Sequence, residues 1–93
     1  MNEKKAKKEA LEIFDVLMIP VNSEITGYVQ GDVGYFGVYI EIEIDIQDIR
    51  DIKRLLERKF DVLGLKISSD NNKILIRFKI TEKENVQTEI WDN

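Results

Sequence analysis

Cysteine and histidine are both absent from this 93-residue chain. Without cysteine there is no disulfide framework, no thiolate metal site and no thiol nucleophile. Without histidine the chain also lacks the side chain that most often serves as general base or metal ligand near neutral pH. A non-enzyme with no cofactor is therefore expected. Proline occurs once and glycine five times, too few for a disordered or low-complexity chain. No run of residues approaches the roughly 18 to 20 uninterrupted apolar positions of a membrane span. The charged opening MNEKKAKKEA has no apolar segment of the secretory kind. A cytoplasmic location without membrane contact is the expectation.

What is present points to one small folded domain covering residues 1 to 93. Hydrophobic residues make up 43% and charged residues 34%, a balance that supports a single core within a charged surface. Isoleucine, lysine and glutamate are abundant, as in thermophilic proteins that supplement the core with charge networks. An AT-rich genome produces the same bias.

Residues 3 to 18, EKKAKKEALEIFDVLM, place Ala6, Ala10, Phe14, Leu17 and Met18 at helical spacing, with Leu11 and Ile13 widening the apolar stripe. Pro20 is expected to stop this helix, because it disfavours helical geometry in Ile19 and has no N–H to donate. Strands are expected over residues 24 to 29 and 33 to 45, joined by Gly31-Asp32 in a type II′ turn. In the second strand Phe36, Val38, Ile40, Ile42 and Ile44 share one face, while Tyr35, Gly37, Tyr39, Glu41 and Glu43 share the other.

Asp45 is placed to cap a second helix, IQDIRDIKRLLERKF, with Ile49, Ile52, Leu55, Leu56 and Phe60 as its buried stripe. A third strand is expected over residues 62 to 68, with Gly64 near its start. The polar loop SSDNNK then leads to a fourth strand over residues 73 to 81, with Ile74, Ile76, Phe78 and Ile80 facing inward. Residues 82 to 93 read as an edge strand or a C-terminal arm. The expected class is α+β, in the order α-β-β-α-β-β with an optional fifth strand. Two helices pack on one face of an antiparallel sheet, a ferredoxin-like layering in which the first strand of that arrangement comes last.

The run VGYFGVYI, residues 33 to 40, partly resembles the signature strand of the RNA-recognition motif. That strand reads Lys/Arg-Gly-aromatic-Gly/Ala-aromatic-Val-x-aromatic and stacks bases on alternate aromatics. Gly34, Tyr35 and Val38 match, whereas Val33, Phe36, Gly37 and Ile40 depart from it. Glu41 and Glu43 on the same predicted face would repel phosphates. Lys66, Arg77 and Lys79, predicted on the neighbouring strands, are expected to pair with them. The preferred reading is a strand whose tyrosines form a usable surface, with Gly34 and Gly37 permitting a bulge or close helix approach.

Charge is uneven along the chain. Residues 21 to 52 carry seven acids against Arg50 alone, and residues 53 to 81 carry eight basic groups against three acids, so mutual neutralisation in the fold is expected. Arg50, Arg54 and Arg58 recur every fourth residue, an arginine stripe along the second helix suited to anions. DIQDIRD has carboxylates at a spacing that divalent cations use, but Asp45 and Asp48 are better read as helix capping, so no metal site is assigned. Trp91 stands in an otherwise polar tail, able to dock back on the domain or anchor a partner.

The favoured expectation is a small non-catalytic protein-interaction or assembly module. It self-associates as a homodimer or meets another protein through Tyr35, Tyr39 and Trp91. The alternative is an RNA- or DNA-binding regulator using Arg50, Arg54 and Arg58. A smaller third reading has the acidic run from Glu41 to Asp51 imitating nucleic acid.

Overall fold

The computed structural model of the protein describes residues 1–41 and 43–83, with the backbone but not the side chain of Asp70. Ile42 and the tail that contains Trp91 lie outside the described residues.

Helix α1 spans Glu3–Val16 and is capped by Asn2, whose Oδ1 accepts the Lys5 N–H at 2.9 Å. Ala6, Ala10, Ile13 and Phe14 are buried, whereas Leu11, expected in the stripe, is 37% exposed. The helix ends before the proline can act. Met18 adopts φ 59°, the Ile19 N–H bonds the Phe14 carbonyl at 2.9 Å, and the Met18 N–H bonds the Asp15 carbonyl at 3.0 Å. This left-handed turn closes the last carbonyls of the helix. It also turns Met18 outward, to 86% exposure. A side chain at that φ carries strain, so Met18→Gly should raise stability by about 0.5 kcal/mol after the entropy cost of glycine in the unfolded chain. Urea unfolding would show it; a loss of stability would mean that the methionine makes contacts outweighing the strain.

Strand β1, Thr26–Gln30, and strand β2, Val33–Ile40, are joined by Gly31-Asp32. Of these two residues only Gly31 has positive φ, at 62°, as a type II′ turn requires. Helix α2, Ile46–Lys59, opens with a capping box. Asp45 Oδ1 accepts the Asp48 N–H at 2.9 Å, and Asp48 Oδ2 accepts the Asp45 N–H at 3.1 Å. Ile52 and Leu56 are fully buried. Phe60, expected to close the helical stripe, is instead the buried first residue of strand β3, Phe60–Asp70. The expected six-residue loop contracts to Asn71-Asn72, with φ of 52° and 65°. Such a pair suits a two-residue type I′ turn into strand β4, Lys73–Glu82.

The observed class is α+β, with two helices and a four-stranded antiparallel sheet in the order β1-β2-β4-β3. β2 and β3, connected through α2, have β4 inserted between them. The inner-face residues Phe36, Val38, Ile40, Ile76, Phe78 and Ile80 join the buried residues of both helices in one core. β2 stops at Ile40 rather than running to residue 45. Ile40 pairs with Ile74, and β4 has only Lys73 before its turn, so a β2 running to residue 45 would outrun its partner. Ile44 still packs partly against the core.

The register of β2 against β4 is unbroken from Val33 to Ile40, so neither Gly34 nor Gly37 makes a bulge. The irregularity lies instead between Val62 and Gly64 of β3. It leaves Leu63 as the extra residue and changes which alternate positions face the core.

Candidate functional site

The helices cover one face of the sheet, and the opposite face carries the candidate site. The two-residue turn at Gly31-Asp32 pairs Gln30 with Val33, and counting back from it sets Tyr28 opposite Tyr35. Their rings stack, with centroids 5.2 Å apart and planes 24° from parallel. On the far side of β2, Lys79 of β4 is opposite Tyr35, and its Nζ lies 5.5 Å from the ring centroid, within cation–π range. The row across the sheet is thus Tyr28, Tyr35, Lys79.

A second row runs through Gly37, Arg77 and Lys66, because Gly37 pairs with Arg77 and Arg77 pairs with Lys66. Gly37 has no side chain to fill the space between Leu75 and the Arg77 stem. A Cβ there would meet both at ordinary contact distances of 3.5 and 3.6 Å. Tyr39 lies opposite Leu75 and completes the face. Together these rows line a shallow hollow of about 730 Å³, with the bulged Leu63 at its rim, 52% exposed.

The electrostatics depart from expectation. Glu41 and Glu43 fall beyond the end of β2, so they do not sit across from the cations. Among the described residues Lys66, Arg77 and Lys79 form no ion pair. Asp61, at the margin of the face opposite Thr81, forms none either. Lys66 and Arg77 are cross-strand neighbours of like charge, an arrangement that destabilises a sheet. The expected neutralisation between the two halves of the sequence is equally sparse. Of the four ion pairs among the described residues, only Arg54–Asp51, at 3.1 Å, joins them.

The other sequence-derived candidates are dispersed. Arg50, Arg54 and Arg58 lie exposed on α2, whose buried side faces the inner face of the sheet, so the core separates them from the tyrosines. Arg54 is held by Asp51, and Arg58 lines a groove beside Glu12 and Asp15. Asp45 and Asp48 occupy one another as a capping box, while Asp51 accepts the Gln47 Nε2 hydrogen bond at 2.9 Å. Among the described residues no three acidic side chains converge as a metal site would need. Tyr35 and Tyr39 do share one face. Trp91 lies outside the described residues.

Sequence reading missed Tyr28, Leu63 and Leu75. Tyr28 was accessible by counting from the hairpin turn, but Leu63 faces outward only because of an irregularity that the local apolar pattern does not encode. Among the described residues no helix is long and apolar enough to cross a membrane. Neither protein families, nor curated proteins, nor solved structures contain a match to this chain.

Proposed function

We propose that this protein is a non-catalytic binding module that takes an anionic partner on the open face of its sheet. One observation carries the reading: Tyr28, Tyr35 and Tyr39 share that face with Lys66, Arg77 and Lys79, and no described acid pairs with the three cations. Like charges set directly across a ladder cost stability. An anion bridging Lys66 and Arg77 would convert that cost into affinity.

Self-association through Tyr35 and Tyr39 is the weaker reading. A symmetric interface brings each patch against its own copy, so three cations would meet three cations. The arginine stripe is also a weaker anion site than the sheet face, because Arg54 is paired and Arg58 has acidic neighbours.

Lys66→Glu separates a binding role from a structural one. The new carboxylate would sit opposite Arg77, so the fold should gain about 0.5 kcal/mol while heparin, used as a generic polyanion, binds more weakly. Urea unfolding and amide chemical-shift mapping read the two effects. Heparin-induced shifts confined to α2 around Arg50, Arg54 and Arg58 would overturn the assignment. A protein mass that rises with concentration would favour the self-association reading.

A further inference from the structure

We infer that the anion taken by this face is a short single-stranded stretch of nucleic acid, with a base stacked on Tyr28 and phosphates against Lys79, Arg77 and Lys66. The inference rests on the sheet face being the binding site and adds the chemistry of its occupant.

Three features of the face select that chemistry. First, β2 and β4 are interior strands with neighbours on both sides. A bound peptide can therefore add no main-chain hydrogen bonds here, the usual source of affinity when an extended peptide joins a sheet. Over these two central strands recognition comes from rings and cations, which is how single strands are held.

Second, Tyr35 is already enclosed, with Tyr28 on one side and Lys79 near its ring. Tyr28 itself is 54% exposed on the edge strand β1. The stack therefore has one open end. A base added there extends a preformed column, and the ordering of Tyr28 against Tyr35 is complete before binding.

Third, the cations continue from that column across the sheet. Lys79 and Arg77 stand on β4, and Lys66 on β3 beyond it. Adjacent strands lie about 4.8 Å apart, so the path from β1 to β3 is about 14 Å. The hollow between Gly37 and Leu75 leaves room for the chain to lie close to the sheet.

Two properties of binding follow. Three phosphate contacts on a single strand give a logarithmic salt slope of about −2, a loss of about twentyfold between 50 and 200 mM salt. Removing one cation should make the slope shallower by about 0.7. Tyr28→Ala should weaken binding about tenfold with the slope unchanged, because stacking is not a counterion effect.

The experiment uses the full chain and four labelled probes followed by anisotropy: a ten-nucleotide oligothymidylate, an abasic strand of equal length, the corresponding duplex and a decaglutamate peptide. Preference for the oligothymidylate over the other three, with loss in Tyr28→Ala and a shallower slope in Lys66→Glu, is the expected result. Lys66→Glu is the safer of the two variants, since it is expected to fold at least as stably as the parent. Equal binding of the oligothymidylate and the abasic strand overturns the base-stacking inference but leaves the sheet face as an anion site. Preference for the duplex or for decaglutamate overturns it in the same way. Binding of none of the four at 50 mM salt overturns both the inference and the reading on which it rests.

Discussion

Gly27→Ala should cost about 3 kcal/mol or more, the sum of a strained backbone and overpacking. Gly27 has φ 139°, and a Cβ built on it would clash with the Tyr35 carbonyl oxygen and lie 2.7 Å from the Phe36 Cα. Both obstacles are backbone atoms of the paired strand, so no rotamer change relieves them. β1 must either leave β2 or twist away from it. Gly37→Ala is the control, since its new methyl meets only ordinary contacts and should be neutral or stabilising by about 0.5 kcal/mol. Urea unfolding of the two variants gives the comparison. Equal stability would show that β1 does not approach β2 as described. Because Tyr28 follows Gly27 directly, Gly27→Ala should also separate the tyrosine stack and weaken any ligand that depends on it.

Phe14→Ala is the second large effect, with an expected loss of about 3 to 5 kcal/mol. A domain of this length holds about 5 to 14 kcal/mol of stability in total, so the variant should retain little of it at raised temperature. Phe14 is fully buried where α1 meets the rest of the core. No polar group replaces the lost contacts, and the surrounding isoleucines and leucines collapse only partly into the space. Leu11→Ala, on the same helix but at a position 37% exposed, should lose under about 1 kcal/mol. Denaturant midpoints for the pair measure the orientation of the helix. Comparable losses at both positions would place the apolar stripe where the periodicity of the sequence puts it rather than where the structure does.

Leu11 shows how far periodicity reaches. Six apolar positions in residues 6 to 17 fall within one broad arc, but the width of that arc says nothing about how much of it the sheet can cover. The helix end is similar. Pro20 marks a region where helix cannot continue, yet Met18 stops it earlier by adopting a left-handed conformation that its residue type does not favour. The Asp45–Asp48 capping box and the Gly31 turn, by contrast, were readable directly, because each depends on residues at most three apart and on one backbone geometry.

The candidate site divides along the same line. That Tyr35, Tyr39, Lys66, Arg77 and Lys79 would share the outer face follows from strand alternation. That Lys79 would lie by Tyr35, and Lys66 opposite Arg77, with Glu41 and Glu43 beyond the end of β2, does not. Those neighbours depend on register, and a shift in pairing by one residue changes every cross-strand partner.

The sequence by itself therefore determined the α+β class, the order of helices and strands, the Asp45 cap, the Gly31-Asp32 turn, and the inward face of β2 and β4. Each of these follows from patterns within a few residues, where steric preference and apolar spacing act directly. Only the tertiary structure decided the insertion of β4 between β2 and β3, the end of β2 at Ile40, the bulge at Leu63 and the meeting of a tyrosine stack with three cations that form no ion pair among the described residues. These are relations between residues far apart in the chain. They are set by which strands can pair while burying one shared core, a condition on the whole fold that no local pattern contains.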